Sequence, residues 1–131
     1  MKYTNISDEL TIVIPCYNEV NYIGKTLMNI GKQVGIKGTR VIVCDGKSTD
    51  STREDIKRCE EELKDVLKIE IQNGGKVALG RNVGANLSKT PYILFLDADS
   101  ILLSDTQISD ALLTLKDSKV QLVTCKVKSV S

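Results

Sequence analysis

Two aspartates, Asp97 and Asp99, directly follow a run of apolar residues at 92–96. On an extended backbone, side chains two residues apart leave on the same face, so both carboxylates would share one small volume while Ala98 points away. Oxygen-only ligands suit a hard divalent cation such as Mg²⁺ or Mn²⁺. The pair therefore predicts a metal site, with Asp97 and Asp99 as its ligands.

A cation is an electrostatic requirement if a diphosphate is to bind beside these carboxylates. A carboxylate and a phosphate charge about 5 Å apart repel by roughly 3 kcal/mol at an effective dielectric constant of 20. A bound cation reverses the sign of that interaction and can assist the departure of a diphosphate as a Lewis acid. Asp-x-Asp alone is nevertheless common by chance, so the prediction depends on its position after a buried strand.

A second polar cluster follows the β-rich run at 10–14 and comprises Pro15, Tyr17, Asn18 and Glu19. The ring of Tyr17 offers a face on which a nucleobase could stack. The alternative is structural, with Tyr17 covering the sheet edge and Glu19 favouring the start of a helix through its dipole.

Three further polar residues are candidates for nucleotide contacts. Asp45 ends the apolar run at 41–44 and could accept a hydrogen bond from a base N–H or a sugar hydroxyl. Lys76 and Arg81 flank a glycine-rich turn and a helix start, where a cation and free backbone N–H groups could meet phosphate. The alternatives are a turn at Asp45-Gly46 and solvated surface charges at Lys76 and Arg81.

The elements that must position these residues alternate between strands and helices. Apolar or alternating runs predict strands at 10–14, 41–44, 67–71, 92–96 and 120–127. Apolar side chains at helical spacing predict helices at 23–34, 56–66, 79–87 and 108–115. The strand at 67–71 alternates with charged residues and is expected toward the sheet edge, and Ser51 and Glu54 have the spacing of a capping box. This order predicts an α/β, Rossmann-like fold with a mostly parallel sheet flanked by helices and any ligand at the strands' carboxyl ends.

Length and composition narrow the function classes. The 131 residues fit one domain, 1–131, and 18 basic against 17 acidic residues give a near-neutral chain with no expected nucleic-acid partner. The absence of histidine excludes imidazole bases and histidine-ligated zinc. The widely spaced cysteines are interpreted as reduced thiols in the core, and no signal peptide or membrane anchor is recognised, so a cytoplasmic location is expected. The cysteines are Cys16, Cys44, Cys59 and Cys125.

Four segments together resemble the family 2 glycosyltransferases, which have the GT-A fold and use nucleotide-activated sugars. They are residues 14–19, 43–52, 80–85 and 95–99, in the family's order and spacing. The resemblance implies that Tyr17 and Asp45 contact the nucleobase or ribose and that Asp97 and Asp99 reach a metal-bound diphosphate. Lys47 departs from the family, which commonly has Gly or Asp there.

The resemblance also implies a reaction and its partners. A UDP- or GDP-sugar is the expected donor, Mn²⁺ or Mg²⁺ the cofactor, and a saccharide, lipid or protein the acceptor, with a cytoplasmic membrane face reached through a partner. The chain ends soon after the metal motif, where family members carry an acceptor-binding half with the catalytic base. We therefore expect a fold truncated there, nucleotide binding without sugar transfer, and a homo-oligomer formed through an exposed strand edge.

Two other functions stay open from the sequence. A non-catalytic nucleotide-sugar-binding module could lend its pocket to a partner chain. A sugar-1-phosphate nucleotidyltransferase has related architecture, but it normally opens with a glycine-rich loop that residues 15–19 do not match.

Overall fold

The computed structural model of the protein describes residues 6–118 and 127–129. A short 3-10 turn at Ile6–Asp8 precedes the strands and helices. In chain order these are β1 Leu10–Cys16, α1 Ile23–Gly31, β2 Thr39–Asp45, α2 Thr52–Glu62, β3 Leu67–Asn73, α3 Val77–Leu87, β4 Tyr92–Phe95, β5 Ser100–Leu102, α4 Gln107–Ser118 and β6 Val127–Ser129.

The main sheet has four parallel strands in the order β3-β2-β1-β4. In the middle of the sheet, Val13 of β1 lies between Ile42 of β2 and Phe95 of β4. Every residue of β1 is buried, whereas β3 lies at the edge with one wetter face. The predicted parallel α/β architecture and the edge position of β3 are confirmed. All four carboxyl ends therefore meet at one side of the sheet.

The burial of β4 differs from the expectation for a covered strand. Tyr92, Ile93 and Leu94 are only half-buried and Phe95 is 44% exposed, because β4 is the other edge of the described sheet. A short apolar run does not distinguish an edge strand from a central one. Self-association through an open edge stays a prediction.

One helix boundary and one helix cap were also predicted wrongly. Helix α1 ends at Gly31, so the apolar spacing that extended to Val34 overran it, and Val34 is 40% exposed. Ser51 occupies the position before α2 but makes no side-chain cap hydrogen bond. The Thr52 N–H donates instead to Asp50 Oδ1 at 2.9 Å. A competing aspartate thus replaced the predicted capping box.

Helix α3 carries two glycines because it lies almost in contact with the sheet. A Cβ at Gly84 would overlap the methyl groups of Val13, and one at Gly80 would stand 3.3 Å from Cys44 Cβ. Glycine lowers intrinsic helix propensity, but here its missing side chain allows the close approach. The helix brings Arg81 toward the carboxyl ends of the strands.

A second, antiparallel pair is formed by β5 and β6, with Leu102 opposite Val127. The predicted last helix is confirmed as α4. Of the strand predicted at 120–127, residues 120–126 lie outside the described residues. Asn29 of α1 holds β5 in place, since the Leu102 N–H donates to Asn29 Oδ1 at 2.8 Å. Helix α1 thereby supports the segment that follows Asp99.

The described cysteines, Cys16, Cys44 and Cys59, are buried free thiols, as predicted. Burial, reinforced by the negative charge of Asp45, raises the pKa of Cys16 to about 12. These thiols therefore stay protonated and serve as core residues. Within the described part of the chain, no helix is both long and apolar enough to cross a bilayer.

Candidate nucleotide-binding site

Three loops meet at the carboxyl ends of β1, β2 and β3. The Gly46 N–H donates to the Cys16 carbonyl, and the Gly74 N–H donates to the Asp45 carbonyl, both at 2.8 Å. A Cβ at Gly46 would stand only 2.5 Å from the Gly75 carbonyl oxygen. The backbones are therefore in direct contact and leave no room for side chains. The backbones at Gly46, Gly74 and Gly75 thus form a glycine floor between the strand ends.

Asn18 joins the loop after β1 to the loop after β2. Its backbone N–H donates to Ser48 Oγ at 2.8 Å, and its side-chain oxygen accepts the Thr49 N–H at 2.8 Å. Asn18 has a φ of 50°, in the left-handed region that asparagine tolerates better than most residues. The side chain predicted to bind nucleotide therefore also fixes the loop that carries Tyr17.

The buried hydroxyl of Thr52 makes the second link between these loops. It accepts the Glu19 N–H at 2.9 Å and donates to the Asp50 carboxylate. Asp50 also accepts the Val20 N–H, and hydrogen bonds led by the Thr52 hydroxyl lower its pKa against a smaller, opposite effect of burial. The start of α2 thus holds the backbone at Glu19.

Asp45 is completely buried, and both of its carboxylate oxygens are engaged. Oδ2 accepts the Ser48 N–H at 2.9 Å and Arg53 Nε at 2.7 Å, while Oδ1 accepts the Ser48 hydroxyl. Burial by itself raises the pKa of Asp45, but hydrogen bonds from Ser48 and Arg53 outweigh it and lower the pKa. Asp45 is therefore ionised and held in place. Its predicted contact with a nucleoside stays a prediction.

Tyr17 and Pro15 take different places at the end of β1. Tyr17 is 54% exposed and borders the glycine floor, since a Cβ at Gly46 would stand 3.6 Å from its ring. Pro15 is buried within β1 and faces Gly80 of α3, where an added Cβ would stand 3.4 Å from it. The exposed ring can stack against a ligand, whereas Pro15 packs against α3.

Residues 97–100 form a turn, closed by the Ser100 N–H donating to the Asp97 carbonyl at 3.1 Å. The extended backbone expected for the two aspartates is therefore wrong. Asp97 and Ala98 nevertheless point in different directions, as expected. The Asp97 side chain is 68% exposed, whereas Ala98 is 3% exposed. The Thr26 hydroxyl donates to the Ala98 carbonyl at 2.6 Å. Helix α1 thus anchors this acidic turn.

Glu19 faces the acidic turn from the loop after β1. Burial, followed by the negative charges of Asp99, Asp50 and Asp97, raises its pKa. Arg81 approaches from α3, with its Nη2 atom 3.7 Å from Asp97 Oδ1 and both side chains largely exposed. Lys76 is exposed immediately before α3. The site therefore has a net negative field with cationic side chains at its rim.

The donor set of Asp97 and Asp99 fits a hard divalent cation. Carboxylate oxygens are the ligands that Mg²⁺ and Mn²⁺ prefer, and these ions keep positions open for phosphate oxygens and water. Among residues 6–118 and 127–129, no three acidic or cysteine side chains gather closely enough to form a complete cage. A cation held by these two carboxylates would have further positions for phosphate oxygens and water.

Several residues of this site were given no individual role from the sequence. Arg53 follows Asp45 by eight residues, a separation that predicts no contact until the second loop is folded. Ser48, Asp50 and Thr52 lie in the segment at 43–52 that resembles the family, but their residue types by themselves indicated only a turn and a helix start. The residues that sequence reasoning missed are Ser48, Asp50, Thr52, Arg53 and Asn73.

The sequence profile of glycosyl transferase family 2 matches residues 11–131. The chain belongs to this family. Validoxylamine A glucosyltransferase of Streptomyces hygroscopicus subsp. jinggangensis is 35% identical over 89 residues, covering 67% of this chain and 21% of that protein. Succinoglycan biosynthesis protein ExoA of Rhizobium meliloti is 34% identical over 126 residues, covering 87% of this chain and 37% of ExoA. The chain thus spans a fifth to two fifths of the length of these relatives.

Solved structures confirm the GT-A fold. Mannosyltransferase PcManGT from Pyrobaculum calidifontis, in complex with GDP-Man and Mn²⁺, superposes with a TM-score of 0.77 at 26% identity over 86% of this chain and 33% of its own. S. aureus TarS 1-349 in complex with UDP-GlcNAc gives a TM-score of 0.70 at 26% identity, covering 83% of this chain and 31% of its own.

Proposed function

We propose that this chain binds a nucleotide-diphosphate sugar through a divalent cation and forms the donor-binding part of a glycosyltransferase. The observation that carries the proposal is the meeting of two features at one sheet edge. One is the acidic turn of Asp97 and Asp99, and the other is the exposed ring of Tyr17 beside the glycine floor. A metal-bound diphosphate joined to a nucleoside needs both.

Five of the predicted site residues have a direct role in this proposal. Asp97 and Asp99 bind Mn²⁺ or Mg²⁺, and Glu19 adds negative charge that favours the cation. Tyr17 stacks on the base of a UDP- or GDP-sugar. Arg81 lies at the rim, where its guanidinium can exchange Asp97 for a phosphate oxygen. When bound, the cation would neutralise charge on the departing diphosphate.

The relatives support the nucleotide as ligand class. UDP and UDP-GlcNAc are bound in TarS structures, and GDP-Man with Mn²⁺ is bound in PcManGT. Transfer of the sugar to a saccharide, lipid or protein acceptor is the corresponding reaction of the whole protein. We assign that reaction to the whole protein and only the binding of the donor to the described residues.

A thermal-shift panel with UDP, GDP and their sugar conjugates, each with and without Mn²⁺, tests the proposal. We expect stabilisation only when nucleotide and cation are both present, because the acidic turn otherwise repels the diphosphate. Titration calorimetry on Asp99→Asn should then show a loss of at least about 100-fold in affinity, given roughly 4 kcal/mol for unit charges about 4 Å apart.

Asp65→Asn is the matched control. Asp65 is exposed just before β3 and therefore lies at the opposite, amino end of the sheet. It makes the same chemical change without reaching the site, so its nucleotide affinity should equal that of the wild type. The metal assignment is wrong if Asp99→Asn binds nucleotide with wild-type affinity, or if a chelator leaves the nucleotide affinity of the wild type unchanged.

A further inference from the structure

Three polar side chains connect α1, and the turn that follows it, to the segment that carries Asp99. They are Thr26, Asn29 and Gln33, and each bonds to main-chain groups of the segment 98–108. Their spacing of three and four residues places them on one side of the helix. Of the three, Thr26 bonds nearest to the aspartates.

Two hydrogen bonds fix the backbone on both sides of Asp99. The Ser100 N–H donates to the Asp97 carbonyl at 3.1 Å and so orients the peptide group between Asp99 and Ser100. The Thr26 hydroxyl donates to the Ala98 carbonyl at 2.6 Å and so orients the peptide group between Ala98 and Asp99. Because each peptide group is planar, the two bonds together determine the direction in which the Asp99 side chain leaves the backbone.

The bond from Thr26 is made inside the core. Thr26 is 1% exposed and Ala98 is 3% exposed, and Ala98 belongs to the same apolar cluster as Ile23 and Leu27 of α1. A buried carbonyl that loses its donor is costly to leave unsatisfied. Without the hydroxyl, the peptide group at Ala98 would therefore have to turn toward another donor, and Asp99 would turn with it.

Helix α1 also ties Thr26 to the opposite side of the site. The N–H groups of Tyr22 and Ile23 donate to the Glu19 carbonyl at 3.0 and 2.9 Å, and the Thr26 N–H donates to the Tyr22 carbonyl at 3.0 Å. The Glu19 N–H is itself held by the Thr52 hydroxyl at 2.9 Å. The first turn of the helix therefore sets the distance between the loop after β1 and the acidic turn.

We propose that Thr26 is a positioning residue for the cation, because its hydroxyl holds the Ala98 carbonyl and thereby directs the Asp99 carboxylate at a cation bound with a nucleoside diphosphate. This inference rests on the proposed function, since it concerns the support of the same site. Thr26 acts through Asp99 and needs no contact with the cation or the nucleotide. Removing a side chain that orients a metal ligand typically weakens metal binding by roughly 10- to 100-fold.

Titration calorimetry of UDP and GDP with Mn²⁺ tests the inference on the wild type, Thr26→Val and Thr26→Ser. Valine keeps the shape of threonine without its hydroxyl, so affinity should fall by roughly 10- to 100-fold for whichever nucleotide the wild type binds. Serine keeps the hydroxyl, so its affinity should stay close to that of the wild type. Urea denaturation should nevertheless show that Thr26→Ser is destabilised, because the lost methyl group leaves a cavity in the core. A purely structural role would make affinity follow stability.

Ser109→Ala is the matched control. Ser109 is 4% exposed, and its hydroxyl donates to the Val34 carbonyl at 2.8 Å, so this variant breaks the same kind of bond beyond the far end of α1. It should lose stability but keep the nucleotide affinity of the wild type. If Thr26→Val does not fold, Thr26→Ala and Thr26→Ser make the same comparison, because both lose the methyl group and only serine keeps the hydroxyl.

The outcomes separate this inference from the function beneath it. A wild-type chain that binds neither nucleotide with Mn²⁺ overturns both. If the wild type binds and Thr26→Val keeps its affinity, only the role of Thr26 is overturned. The same conclusion follows if Thr26→Ser or Ser109→Ala loses as much affinity as Thr26→Val, because stability rather than the direction of Asp99 would then determine binding. Loss in Thr26→Val alone supports the inference.

Discussion

On the side of the site proposed for the nucleoside, hydrogen bonds tie the loops after β1 and β2 together through Asn18, Ser48 and the buried Thr52. On the diphosphate side, the exposed Asp97 carboxylate meets the exposed Arg81 at 3.7 Å. One side is built from polar groups that satisfy one another, whereas the other exposes its charged side chains to solvent. The nucleoside side therefore has its shape before a ligand arrives.

This difference shows where stability and affinity are separated in the molecule. Removing a partner from a buried hydrogen bond leaves the other group unsatisfied and destabilises the fold. Removing an exposed carboxylate costs little stability but takes away a ligand of the proposed cation. Substitutions on the two sides should consequently change different measured quantities.

The largest expected effect comes from displacing α3, which lies behind both sides. Gly84→Ala would force a methyl group into Val13 of the central strand, and overpacking of this kind should cost about 3 kcal/mol in the free energy of unfolding. Urea denaturation measures it. The control is Gly24→Ala in α1, where the new methyl group meets Cys59 Sγ at an ordinary 3.8 Å and should stabilise the helix by about 0.5 to 1 kcal/mol. Equal effects of the two substitutions would refute the close packing of α3.

Thr52→Val should cost about 2 kcal/mol, because it leaves the Glu19 N–H without its acceptor and removes a donor from Asp50. Thr114→Val, at an exposed position on α4, is the control and should change stability by less than about 0.5 kcal/mol.

Asp97→Asn is the counterpart of Thr52→Val on the exposed, charged side of the site. It should leave the free energy of unfolding within about 0.5 kcal/mol of the wild type while weakening nucleotide binding in the presence of Mn²⁺. Denaturation and calorimetry on the same samples provide both values. A large loss of stability in Asp97→Asn would mean that the acidic turn is part of the folding core.

The smallest expected effect is the acid dependence conferred by Asp45. Its pKa is lowered in the folded chain, so its contribution to stability is present above its unfolded pKa of about 3.9 and is lost as the pH falls through the folded value. Asp45→Asn should be less stable at neutral pH but should lose less stability between pH 5 and pH 2. Urea denaturation across that range, with Asp65→Asn as control, measures the two slopes. Parallel curves for wild type and Asp45→Asn would show that Asp45 titrates normally.

The order of strands and helices followed from sequence because each has a strong local pattern. The buried run at 41–44 and the helical spacing through Ile56 and Cys59 need no distant partner to be recognised. The exposed edge of β4, the end of α1 at Gly31 and the pairing of β5 with β6 were not predictable in the same way. Each depends on which other segment lies beside it.

The sequence by itself determined the family, the α/β order and the placement of Asp97 and Asp99 directly after a strand, because short contiguous motifs carry that information. The tertiary structure alone decided that Asp45 is buried under Ser48 and Arg53, and that Arg53 reaches Asn73 across two strands. The two contacts of Arg53, with Asp45 and Asn73, join residues 8 and 20 positions apart in the chain. Their distances exist only after parallel pairing has brought the carboxyl ends of β2 and β3 together, and no local pattern records that event.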